Sequence, residues 1–395
     1  MRRIAQAFLN HITRAKTHHN PSHFKVISAQ RIALLVTSDL VSDQRVNRTA
    51  TTLAQAGYGV VAIGRRTAIT IAVEPRGYSV ILLKLPYAKG PLFYATYNVW
   101  AFLHLMLNRY HLVQANDLDT LLAARLACWF KRIPLIYDSH ELFTEVPELI
   151  HRPRTQNVWR WLERHLVKGI LYCSTVSQGV AKELEVRYGL NAEVIRNFPT
   201  RKERTNPIGS VDSTIIYQGA LNVGRGLERL ILAMNHIPSA KLILAGDGDI
   251  AQKLKELVAE QRLADRVTFL GRVPADQLHG ITQRATIGVS LEEDMGLSYR
   301  YALPNKVFDY IQAALPVLVS NLPEMKALVD DYGCGLSVSS HCTPVELASK
   351  LTEMLNDTQG LCRWRACAEE AAQHLTWENE RVKLLKLVGR AIGTL

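Results

Sequence analysis

From residue 31 to residue 338 the chain repeats one pattern: a short, largely β-branched apolar run, a polar loop, then a longer stretch with apolar positions at helical spacing. Apolar runs at 32–36, 58–63, 80–83, 112–114, 135–137 and 170–176 read as strands buried on both faces, as in parallel sheets. Helical stretches such as 46–56 and 118–130 separate them. That alternation predicts a doubly wound α/β fold. A polar stretch over 200–210 reads as a linker, and the alternation restarts with strands at 214–217, 241–245, 267–270, 287–291, 317–319 and 335–338. Helices at 344–355, 362–374 and 378–391 close the chain. The predicted organisation is therefore an N-terminal extension over 1–30, one Rossmann-like domain over 31–205, a second over 206–376, and a C-terminal helix over 377–395 that is a candidate to cross back to the first. In two such sheets, ligands are expected in a cleft outside the carboxyl ends of the strands.

Composition narrows the class. At 395 residues the chain exceeds a single core, and its 48% apolar and 21% charged residues are those of a globular protein. The formal charge is 47 − 36 = +11, but residues 1–38 hold six Lys/Arg and no acid, which leaves 41 − 36 = +5 for the rest. Within this head Ile4, Ala5, Phe8, Leu9 and Ile12 recur at helical spacing among arginines. A basic amphipathic helix for an anionic membrane surface, a solvated leader and an organellar transit peptide all fit that pattern. A secretory signal does not, because no apolar run follows the arginines. Residues 90–108 are uncharged, but Thr96, Asn98, His104 and Asn108 interrupt them, so a buried or membrane-touching helix of a soluble domain is expected there rather than a membrane span. Six scattered cysteines without a C-x-x-C pair predict a reducing cytoplasm and no metal site. Nucleic acid is not an expected partner, since the charge excess lies in the head.

Three clusters can carry chemistry. Asp138-Ser139-His140-Glu141 follows a strand of the first domain, where His140 could act as a cleft-facing acid, base or donor. The alternative is an N-cap by Asp138 or Ser139 with His140 merely packed. Asn116 and Asp117 follow the preceding strand, and Asp117 is also a natural N-cap for the apolar helix after it. The second cluster, Gly219-Ala220-Leu221-Asn222-Val223-Gly224-Arg225-Gly226, offers backbone amides and one guanidinium to a phosphate. Gly246-Asp247-Gly248-Asp249 is a further turn of this sort, or a plain one. The third runs through Pro304-Asn305-Lys306-Val307-Phe308-Asp309, where a cation and a carboxylate one helical turn apart suit a phosphate and a ribose, or simply pair with each other.

Taken together, Asp138-Ser139-His140-Glu141, Gly219…Arg225-Gly226, Leu244-Ala245-Gly246-Asp247-Gly248 and Leu303-Pro304-Asn305-Lys306…Asp309-Tyr310 resemble the GT-B glycosyltransferases, particularly glycosyltransferase family 4, over about residues 31–390. The resemblance implies a retaining, metal-independent transferase with no cofactor and a nucleotide-diphosphate sugar as donor. His140 would be catalytic. Gly219, Arg225, Gly226, Asn305, Lys306 and Asp309 would bind the donor, and Asp43, Arg45, Asn116, Asp117 and Glu141 would line the acceptor side. The partner would be a lipid-linked or glycan acceptor, met in the cytoplasm or at the inner face of an anionic membrane. The chain departs from the family pattern at Ala220, where a second cation is usual, and at Tyr301, where the first of two glutamates is usual; Glu292, Glu293 and Asp294 stand nearby as replacements. Two rivals share the features: a GT-B nucleotide-sugar epimerase and a non-catalytic nucleotide-sugar-binding protein.

Overall fold

The computed structural model describes residues 30–40, 43–66, 76–150, 152–202 and 213–393. The basic head and most of the expected linker lie outside these residues. The described chain forms two units, one comprising residues up to 176, 180–196 and 380–393, the other 177–179 and 197–379.

The first unit is built on a seven-stranded parallel sheet in the order β3-β2-β1-β4-β5-β6-β7. Its strands are β1 (Arg31–Leu35), β2 (Gly59–Arg65), β3 (Ser79–Leu83), β4 (Leu112–Asn116), β5 (Leu135–Ser139), β6 (Tyr172–Thr175) and β7 (Ala192–Val194). β4 and β5 are buried along their whole length, and their first residues read as short apolar runs. The chain steps from β1 outward to β2 and β3, then returns to β4 on the other side of β1. The strand order therefore reverses between β1 and β4, the place where such sheets bind ligands. The C-terminal helix Trp377–Ile392 runs into this unit from residue 380 onward. There Arg390 pairs with Glu193, and Glu380 accepts from the Arg196 amide at 2.9 Å.

The second unit carries a six-stranded parallel sheet, β10-β9-β8-β11-β12-β13. Its strands are β8 (Thr214–Gln218), β9 (Lys241–Ala245), β10 (Val267–Gly271), β11 (Ile287–Ser290), β12 (Val317–Ser320) and β13 (Gly335–Val338). Two hydrophobic clusters fill its interior, one around Leu227, Leu244 and Leu351 and the other around Val307, Phe308 and Val319. The strand order reverses between β8 and β11.

Two features differ from the sequence reading. The chain changes unit at Arg196/Asn197 rather than at 205, because Phe198 is buried in the second unit with its ring 4.6 Å from that of Phe308. β7 was not expected; it has three half-buried residues and lacks an apolar run. Residues 91–107 form one helix, as read, and among the described residues no helix is long and apolar enough to cross a membrane.

Candidate active site

In the first unit, polar side chains gather at the carboxyl ends of β4, β5 and β6. Asp138 is their hub. Arg45, from the helix Gln44–Gln55, approaches it in a two-pronged fashion, with Nε to Oδ2 at 3.0 Å and Nη2 to Oδ1 at 2.7 Å. The third arm of the guanidinium donates to the Ile195 carbonyl at 2.8 Å. Ser174 donates to Oδ1 at 2.8 Å, and Gln114 to Oδ2 at 3.3 Å. All four residues are buried, so these contacts replace the water each polar group gave up. Burial works against the Asp138 carboxylate, but Arg45 and then His140 outweigh it and hold the carboxyl well below the usual range.

His140 lies between two acids. Its Nε2 is 3.1 Å from Asp138 Oδ2 and its Nδ1 is 3.3 Å from Asp117 Oδ2, while its backbone amide donates to Asp117 Oδ1 at 2.7 Å. Burial disfavours the charged ring, yet Asp117 and then Asp138 overcome it and raise the pKa to about 9. At neutral pH this side chain is thus a cation whose two nitrogens both face carboxylates, and a charged imidazolium donates hydrogen bonds rather than taking a proton. Beside it, burial and the Asp117 charge push Asp119 up to about 7; Thr37 donates to its Oδ2, and Oδ1 has no hydrogen-bond partner among the described residues.

In the second unit the corresponding strand ends, β8 and β11, hold a cationic pair around one carboxylate. Lys306 Nζ is 2.5 Å from Glu292 Oε1 and Arg225 Nη1 is 3.3 Å from the same oxygen; Ser290 donates to Oε2 at 2.6 Å. Each cation also sits against an aromatic face, Lys306 at 4.5 Å from the Tyr217 centroid and Arg225 at 4.9 Å from that of Tyr299. Glu292 is fully buried; desolvation opposes its charge, but Lys306 and then Arg225 outweigh it and lower its pKa. Two cations against one carboxylate leave this cluster one positive charge in excess.

The glycines fix the loop backbone. A Cβ at Gly246 would fall 1.8 Å from the Gly219 carbonyl oxygen, so the β8 and β9 turns touch backbone to backbone. At Gly226 φ is +67°, and a Cβ there would press on Leu291 O at 2.4 Å. That contact is with the backbone that follows β11, so Gly226 is required by packing. Gly219 lies against Lys306, whose Cε would be 3.3 Å from an added Cβ.

The structure brings some expected residues together and separates others. Gly219, Arg225 and Lys306 converge, and of the three replacement acids Glu292 is the one that meets the cations. Glu293 is 4.0 Å from Arg229, and Asp294 forms an ion pair with Arg300. Lys306 does not pair with Asp309 along the helix Asn305–Gln312. Asp309 instead meets Lys202 Nζ and Gln218 Nε2, at 3.3 and 3.2 Å. Asn305 is exposed and accepts from Asn197 at 3.0 Å. Tyr301 packs on Gly179, where an added Cβ would lie 2.2 Å from its ring.

On the other sheet, Arg45, Asp117 and His140 converge on Asp138, while Asn116 is buried and donates to the Leu35 carbonyl at 2.8 Å. Asp43 is an N-cap, accepting from the Val46 amide at 3.0 Å. Asp117 occupies the N-cap position of the helix Leu118–Lys131 but makes no capping bond, because its carboxylate is turned to His140. Glu141 is exposed, and its carbonyl accepts from Ser139. Gln114 and Ser174 escaped notice, although a polar residue inside a buried strand is itself a signal.

Two units of parallel sheet, each with a polar cluster at the carboxyl ends of its strands, define a two-domain α/β protein of GT-B architecture. Comparison with known proteins gives the family. Residues 43–199 match the description "Glycosyltransferase Family 4" and residues 200–373 match "Glycosyl transferases group 1". The chain belongs to the GT-B glycosyltransferases of the family 4 kind. It is 22% identical over 249 residues to alpha-D-kanosaminyltransferase of Streptomyces kanamyceticus, a match covering 58% of this chain and 62% of that enzyme. The chain spans less than two thirds of the length of the curated relatives it matches. Among solved structures it is similar to sucrose-phosphate synthase of Thermosynechococcus elongatus, with a TM-score of 0.78 at 19% identity, covering 93% of this chain and 100% of that one. It also resembles Anabaena HepE in complex with UDP-glucose, with a TM-score of 0.70 at 17% identity, covering 91% and 99%.

Proposed function

We propose that the protein is a retaining, metal-independent glycosyltransferase that moves a sugar from a nucleotide-diphosphate donor to a lipid-linked or polysaccharide acceptor. The observation that carries this reading is the Arg225–Glu292–Lys306 cluster at the ends of β8 and β11. Breaking the bond between the sugar and the diphosphate develops negative charge on the leaving phosphate. Two fixed cations held by one buried carboxylate are preorganised to receive that charge, which is the task a divalent metal performs in other enzymes. The solved complex of HepE with UDP-glucose supports a nucleotide sugar as donor. Asp309 is assigned to the ribose, since its carboxylate is partly exposed and is held by Lys202 and Gln218 rather than by the phosphate cations. His140 is assigned to the transfer step as a charged donor. The protein would work in the cytoplasm beside an anionic membrane.

The test is calorimetry with nucleoside, monophosphate and diphosphate, together with product analysis by NMR. Arg225→Ala and Lys306→Ala should each weaken diphosphate binding by about 1.5–3 kcal/mol and leave nucleoside binding unchanged. Asp309→Asn should weaken binding of all three. Transfer should keep the anomeric configuration of the donor and continue in a metal chelator. Unchanged diphosphate binding in both cation variants would remove the proposal.

A further inference from the structure

The first unit exposes apolar side chains where a solvated helix would carry polar ones. Among the described residues, sixteen large hydrophobic side chains are exposed, and nine of them lie on three helices of this unit, Pro91–Leu107, Leu118–Lys131 and Pro153–Leu166. The concentration is not an accident of the fold, because these helices make the successive crossovers β3→β4, β4→β5 and β5→β6. All three crossovers step in one direction along the sheet, and right-handed connections then place the helices on the same sheet face. They pack against one another. The Phe102 and Phe130 rings of the first and second are 6.1 Å apart, and the Tyr94 and Trp159 rings of the first and third are 5.0 Å apart. Arg125 of the second donates to the Lys168 carbonyl just beyond the third at 2.6 Å.

On the middle helix Leu122, Leu126 and Trp129 recur at i, i+4 and i+7, a stripe along the side away from the buried Leu121, Ala124 and Cys128. Phe130 adjoins it. Trp129 is 71% exposed. On the first helix Leu92, Val99 and Met106 form a similar outward row, and on the third Val158 stands beside Trp161, which is 60% exposed. Exposed patches of this kind mark an interaction surface.

Charge selects the occupant. The helices contain two acids, Asp119 and Glu163, and both are buried. Exposed cations flank the apolar rows: Arg109 and Arg132 just beyond the first two helices, Arg154 and Arg164 on the third, and Lys168 after it. Tryptophans among basic residues and aliphatic rows suit the headgroup level of a bilayer, where the rings enter and the cations remain at the phosphates.

We infer that the outer face of these three helices docks on an anionic lipid surface. This is a contact of the first unit itself, separate from the basic head at residues 1–30, and it does not depend on the transfer reaction.

The experiment is sedimentation of the full chain with vesicles of phosphatidylcholine alone and of phosphatidylcholine mixed with phosphatidylglycerol in equal parts. Wild type should sediment with the mixed vesicles only and be released by salt. The triple variant Trp129→Ser, Phe130→Ser, Trp161→Ser should lose about tenfold or more of that binding. Arg132→Glu and Arg164→Glu should each weaken it by roughly fivefold or more. These side chains are exposed, so melting temperatures should stay near wild type and separate lost docking from lost folding. Sedimentation velocity without lipid should report the same oligomeric state for wild type and triple variant. The inference is overturned if wild type ignores the mixed vesicles, or if the triple variant binds them as wild type does. It is equally overturned if the triple variant dissociates an oligomer, which would make the face a protein interface.

Discussion

One oxygen of Glu292 meets both Lys306 and Arg225, and the side chain is fully buried. Its loss would leave Lys306, only 8% exposed, without a counter-charge and next to a second cation. Glu292→Gln keeps the volume and removes the charge, so stability should fall by about 3–5 kcal/mol. A diphosphate offers the same cations new partners and should recover part of that loss. The thermal shift it induces should therefore be larger in the variant than in wild type; equal shifts would mean that the ligand does not meet these cations. His140 makes a different demand on pH. Its folded pKa is raised to about 9 from 6.5, so its ion pairs contribute fully below about pH 6.5 and are lost as the pH rises through about 9. His140→Gln should cost stability below that window, at most about 3 kcal/mol, and the difference from wild type should close above it. Denaturant titrations across this range would show it, and a pH-independent gap would refute the charged ring.

The helix Gln44–Gln55 shows how an element can account for a residue that looks functional. Asp43 accepts from the Val46 amide and from Ser38 Oγ at 2.7 Å, so its carboxylate is already committed to the helix start. Asp43→Asn preserves a cap and should leave stability and transfer near wild type, whereas Asp43→Ala should cost about 1 kcal/mol. If Asp43→Asn abolished transfer with no change in melting temperature, the acceptor-side reading would stand instead. Elements of this fold are legible in proportion to how completely their own residues determine them. β4 and β5 are buried throughout and begin with apolar residues that announce them, whereas β7 is a short edge strand whose existence depends on pairing with β6. The site divides in the same way. Arg225 and Lys306 could be picked out because a loop glycine pattern and a helix start surround them. That Glu292 joins them could not, since fourteen residues and a strand-to-helix turn separate Glu292 from Lys306. Asp117 misleads for a related reason: its sequence context is that of a cap, yet a neighbouring strand delivers His140 to its carboxylate.

At the scale of the molecule, the first unit is completed by the last residues of the chain. The segment 380–393 brings Leu384, Leu387 and Val388 into that unit with 3% exposure or less, and ties Glu380 to the Arg196 amide and Arg390 to Glu193. Burying each of those aliphatic side chains is worth about 1.5–3 kcal/mol, so together they approach the whole stability of a typical domain, about 5–15 kcal/mol. The second unit ends at Asn379. A chain stopped after Asn379 should therefore lose the first unit selectively. Calorimetry should show one transition moved down strongly or abolished, with the other close to its place in the full chain. Because Gly219, Arg225, Glu292 and Lys306 all lie in the second unit, the truncated chain should still bind a nucleoside diphosphate while transferring no sugar. A single transition shifted as a whole, with nucleotide binding lost in step, would mean that the two units do not fold independently. The C-terminal helix would then be holding the entire chain rather than one half of it.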